Sequence, residues 1–135
     1  MKLKTIFWIA GILMLLQLLP LAGALLSADI KNMLIADAFG SAELGENGLL
    51  IFDTFALVLA SVGLGIFFVM VGATSITDQA VLRRLSFLFF VSMGFFALPD
   101  LINFIEAKPT APLPVVILNL LALGLLYYGS KKGKI

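Results

Sequence analysis

Asp53, Asp100, Asn103, Gln17 and Asn119 stand inside otherwise apolar stretches of this 135-residue chain, and they bound the chemistry open to it. A charge or an amide in hydrocarbon is expensive, so such a residue faces a cavity, a partner or water. Two carboxylates in one layer without a basic neighbour would hold at least one proton more tightly. That suits proton coupling or a cation site, whereas Lys31 or Lys108 nearby would neutralise them. Gln17 and Asn119 suit either a hydrogen bond between helices or the orientation of a lipid or quinone head. Asp100 and Asn103, at i and i+3, share a helical face. Plainer readings stand beside these: Asp53 solvated at an interface, and Asp100 with Asn103 exposed at a helix end.

What the chain lacks excludes more. It has no cysteine and no histidine. Disulfides, thiol nucleophiles, thiolate or imidazole metal sites, histidine-bound haem and imidazole-dependent triads are therefore out. Hydroxyls and carboxylates remain, but nothing pairs a nucleophile with a base. The expectation is a chain that is no enzyme and carries no metal or other cofactor.

Apolar elements must position these residues. Hydrophobic residues make up 61% of the chain and charged ones 13%, against roughly 45–50% and 25% in soluble domains; the mean hydropathy is +1.14. A membrane-crossing helix needs about 20 mostly apolar residues. Four stretches qualify, at about 5–26, 49–73, 83–105 and 113–129, the third only if its helix continues through Pro99 and Asp100. Pro99 should kink that helix and free a carbonyl near Phe95. The predicted fold is all-α: a polytopic four-transmembrane-helix bundle, one domain without internal repeats, with a short amphipathic helix in the first outer loop. That loop helix covers 29–39, with Ile30, Met33, Leu34 and Ala38 on the apolar face and Lys31 and Asp37 off it. Gly40 to Gly48, with its Asn47-Gly48 pair, reads as turn.

Lys2, Lys4, Arg83, Arg84, Lys131, Lys132 and Lys134 all fall on one side of such a bundle. The other side keeps only Lys31 and Lys108 against Asp29, Asp37, Glu43, Glu46, Asp100 and Glu106. The positive-inside rule then puts both termini in the cytoplasm. Met1-Lys2-Leu3-Lys4 before an apolar run resembles a signal peptide. The run is too long and Leu26-Ser27-Ala28 too poor a small-x-small site, so retention as a span is expected. Between the second and third spans, Thr74 or Thr77 could cap the third helix, with Asp78 favourable at its positive end.

Helix packing is expected on the side of the second span that carries Thr54, Ser61, Gly65 and Gly72, where Ser61 and Gly65 have small-xxx-small spacing. Gly11, Gly23, Gly94 and Gly124 offer similar contacts. The run Phe87, Phe89, Phe90, Phe95, Phe96 reads as lipid-facing and core filling.

Leu19-Pro20 late in the first span, Gly63-Leu64-Gly65 in the second, a tight hairpin between spans two and three, and a proline-led fourth span resemble the layout of the DoxX-like group of small bacterial membrane proteins. The resemblance implies a bacterial inner-membrane protein and carries no residue's role with it. Four-helix multidrug exporters are a second comparison, but their essential carboxylate lies in the first span, where this chain has Gln17. The leading expectation is a non-catalytic structural or accessory subunit or homo-oligomer. Its partners would be the lipid bilayer and a second copy or another membrane protein, not nucleic acid. The alternatives are a proton- or cation-coupled transporter or channel using Asp53 and Asp100, and lipid or quinone binding between helices.

Overall fold

Among the described residues five helices follow one another: α1 (Leu3–Leu26), α2 (Ala28–Phe39), α3 (Glu46–Ala73), α4 (Gln79–Ile105) and α5 (Leu113–Lys132). The computed structural model describes residues 1–40, 44–107 and 112–135. Glu43, Lys108 and Pro109, which entered the sequence reading, lie outside the described residues. Among the described residues α1, α3, α4 and α5 are long and apolar enough to cross a membrane, and α2 is the short helix expected after the first of them.

The boundaries differ from the sequence reading where a polar group or a chain end decides them. α1 begins at Leu3 because the Leu3 N–H donates to the Lys134 carbonyl at 2.7 Å, so the carboxyl tail completes its first turn. Asn47-Gly48 is helix rather than turn: α3 starts at Glu46, whose carboxylate favours the positive helix start. α4 begins at Gln79 because Asp78 itself is the cap, accepting from Ala80 N at 2.7 Å and Val81 N at 3.1 Å. Neither threonine does so; the Thr74 hydroxyl turns back to the Val71 carbonyl at 2.7 Å and closes the end of α3. α4 continues through Pro99 to Ile105, as its length required. α5 runs on to Lys132, with Lys131 and Lys132 at its negative end. Gly40 ends α2 at φ 65°, a left-handed conformation that side chains other than glycine's resist.

α1 is the hub. α3 packs along one side of it, α5 along another, and α2 folds back against it. α4 packs on α5 and touches α1 lightly. The hairpin between α3 and α4 is short, but the two helices do not pack along one another. Gly63 lies against Leu18 and Gly11 against Phe67, a side chain entering a glycine gap in each direction between α1 and α3. On α5, Gly129 meets Ile6 and Ser86, and Gly133 meets Leu3.

The bundle is unevenly filled. Its largest fully buried side chains, Leu3, Ile6, Phe7, Met70, Leu82 and Leu126, all lie in the half nearer the termini, where Phe7 and Phe89 stack edge-on at 5.5 Å. In the other half the buried positions are mainly Ala24, Ala56, Ala60, Ala97, Val116 and Asn119. The candidate polar residues belong to this half. Of the phenylalanine run, Phe89 fills the core while Phe87, Phe95 and Phe96 face outward.

Candidate functional site

Asp53 is positioned by α3, about 10 Å along the helix from Glu46 at ~1.5 Å per residue. Its partner comes from α2. The Lys31 ammonium donates to Asp53 Oδ2 at 2.8 Å and lies 2.7 Å from Oδ1. The ammonium thus sits against both carboxylate oxygens, and Oδ1 is shielded from solvent. The side chains are 25% and 39% exposed, so water screens the pair and its net worth is of the order of 1 kcal/mol.

Lys31 reaches Asp53 because α2 is rotated from the orientation expected of it. Ile30, Leu34 and Ala38 lie on the inner side as expected, with Ile30 against Gly23 of α1, but Lys31 and Ile35 join them and Met33, expected there, is 56% exposed. The i, i+3, i+4, i+7 pattern starting from Lys31 was present in the sequence. A lysine does not mark an inward position by hydrophobicity, although its stem covers apolar surface readily.

Beside the ion pair lies a cleft of about 220 Å³ lined by Leu25, Lys31, Asp53, Thr54 and Leu57. A second, wholly apolar cleft of about 310 Å³ opens where the end of α2 meets the start of α3, lined by Phe39, Leu44, Gly48, Ile51, Phe52 and Phe55. At about 100° per residue, the charged pair and the apolar slot lie on opposite sides of α3, the slot nearer its Glu46 end.

The other candidates are not part of this arrangement. Asp100 and Asn103 are half-buried near the end of α4, and neither lines either cleft. Gln17 and Asn119 form a separate layer. Leu3 faces Gly133 and Ile6 faces Gly129 across the antiparallel α1–α5 contact. Gln17 follows Leu3 by as many residues as Asn119 precedes Gly133, so the two amides stand at one level. Asn119 is only 9% exposed, and Gln17 Nε2 is buried without a hydrogen-bond partner. Gln17 therefore does not donate the hydrogen bond between helices that its position suggested. Among the described residues no three acidic side chains gather as a metal site would require.

Ser61, Gly65 and Gly72 also differ from expectation. They lie on the outer side of α3, exposed, and a Cβ added at Gly65 or Gly72 would meet nothing within 4 Å. The glycines that do bring helices together are Gly11, Gly63, Gly129 and Gly133. Gly23 packs on Ile30 of α2, while Gly124 is open.

Among the described residues the fold is thus all-helical, with four helices long and apolar enough for a membrane and the Lys31–Asp53 pair toward one end. Compared with protein-family models, with curated proteins and with solved structures, the chain matches none.

Proposed function

We propose that this chain is a small integral membrane protein that works as a non-catalytic accessory or self-associating subunit, packing laterally through the outer face of α3. The supporting observation is the stripe of Thr54, Ser61, Gly65 and Gly72. At about 100° per residue these four lie within ~20° of one line along the helix, and the bundle leaves that line uncovered. Exposed leucine and phenylalanine need no explanation in lipid. A continuous stripe of small residues allows a second helix to approach closely, and close packing drives association where the hydrophobic effect does not. The Thr54 hydroxyl already donates to the Leu50 carbonyl at 2.8 Å, so it brings no unmet polar demand to such a contact.

In this reading the basic end faces the cytoplasm. The Lys2–Lys134 bridge and the Arg83–Gly133 hydrogen bond gather the basic residues of both termini and of α4 there, consistent with the positive-inside rule.

The chain has no cysteine, so single cysteines report without background. Ser61→Cys and Gly65→Cys are expected to form crosslinked dimers in native membranes, with Phe95→Cys on the outside of α4 as the negative control. Gly65→Leu should abolish the dimer without lowering the monomer's thermal stability. A protein that stays strictly monomeric in mild detergent and captures no partner would overturn the proposal.

A further inference from the structure

We propose that the outer seam between α4 and α5, at the basic end of the bundle, binds an anionic phospholipid. The inference rests on the membrane-embedded reading and is independent of self-association through α3. Seven basic residues, from both termini and the start of α4, gather at this end. Among the described residues the one ion pair is Lys31–Asp53, so none of the seven meets an acid. The nearby Asp78 carboxylate is turned onto the start of its own helix.

Topology accounts for basic residues at this end, but not for how two of them are held. At about 100° per residue, Arg83, Phe87 and Phe90 fall within ~60° of one another around α4, and Tyr127 and Lys131 within ~40° around α5. The two lines meet across the seam. The Phe90 ring lies 6.2 Å from that of Phe87 and 5.4 Å from that of Tyr127, centroid to centroid. The three rings form a shelf, and Phe87 and Tyr127 are half exposed on it. Lys131 folds back one turn over this shelf, its ammonium 5.8 Å from the centre of the Tyr127 ring. Arg83 is fixed beside it, because its Nε donates to the Gly133 carbonyl at 2.9 Å. That bond leaves the donors of its two terminal nitrogens for another acceptor.

Charge and depth choose the ligand. Two cations without a counter-ion favour a head of net negative charge, and an arginine presents paired donors to its phosphate. A zwitterionic choline head would bring its own cation into the same positive field. Lys131 stands in the last turn of α5, so the cations lie where phosphates lie and the rings one turn deeper, where acyl chains begin. A soluble anion has no use for that shelf, whereas a lipid covers it.

The test uses the full chain purified in mild detergent and incubated with equimolar phospholipids of matched acyl chains bearing glycerol or choline heads. Bound lipid is read by native mass spectrometry. The wild type should retain the anionic glycerol lipid several-fold over the choline lipid, and an excess of soluble glycerol phosphate should not displace it. Lys131→Gln should remove most of that preference. Lys4→Gln takes the same charge from the same end, but Lys4 lies within ~20° of Gly11 around α1, on the side that meets α3; it should leave the preference intact. Equal retention of the two lipids, displacement by glycerol phosphate, or the same result in both variants would overturn the proposal. The number of chains per particle in the same spectra tests self-association separately. Resistance of the wild type to alkaline extraction from membranes tests membrane residence.

Discussion

Glycine shows how differently one residue type behaves along this chain. A Cβ at Gly129 would lie 2.6 Å from Ser86 Oγ and 3.1 Å from Ile6 Cδ1. The serine cannot retreat freely, because it is fully buried and its hydroxyl donates to the Leu126 carbonyl at 2.7 Å. Gly129→Ala should therefore destabilise the bundle by about 2 kcal/mol, the usual range for overpacking, as measured by reversible unfolding in mixed micelles. Gly65→Ala should stay within about 0.5 kcal/mol of the wild type, as for open surface positions. The sequence alone ranks the two in the reverse order, since Gly65 belongs to a small-xxx-small pair and Gly129 sits beside lysines at a helix end. Which glycine meets a neighbour depends on how α1 is seated, and no local spacing contains that information.

Among the elements, α2 and the start of α4 each make polar contacts that one substitution can test. Asp78→Ala removes both hydrogen bonds that cap α4 and should cost about 1 kcal/mol, as N-cap losses do; Asp78→Asn should recover most of it in the same unfolding assay. The Lys31–Asp53 pair ties α2 to α3, while Leu34 and Ile35 supply its apolar seat. Asp53→Asn should speed amide hydrogen exchange across 28–39 and leave α5 unchanged, and exchanging the two charges should restore protection. A helix of twelve residues is marginal alone, so its order depends on these contacts. The existence of α2 was legible from apolar spacing. Its exact rotation was not, because Met33 competes with Lys31 and Ile35 for the inner side beside Ile30, Leu34 and Ala38, and only docking onto α1 decides between them.

The whole molecule is closed at its basic end by its own termini. The Gly133 carbonyl accepts from Arg83 Nε at 2.9 Å and from Gln79 Nε2 at 3.2 Å, while Lys134 bonds Leu3 and Met1 through its backbone. Removing residues 133–135 breaks all of these and uncovers Leu3, which is fully buried. At about 1 kcal/mol per neutral hydrogen bond and more for a charged donor, the deletion should cost ~3 kcal/mol or more, seen as a lower unfolding midpoint in detergent. Among the described residues, the buried side chains at the other end are small and the two clefts open there.

Apolar length and the placement of lysine and arginine suffice, without coordinates, to define four long helices, a short fifth and a basic end, because each of these properties belongs to a continuous stretch of chain. Asp53 could likewise be singled out from its position in an apolar run. Its partner could not. Whether Asp53 met Asp100, water or Lys31 depended on α3 and α4 each packing elsewhere than on one another and on α2 folding back against α1 with Lys31 in reach of α3. Those are choices between competing packings of similar apolar faces, and close contact between specific side chains makes them, at glycine gaps such as Gly11 and Gly63.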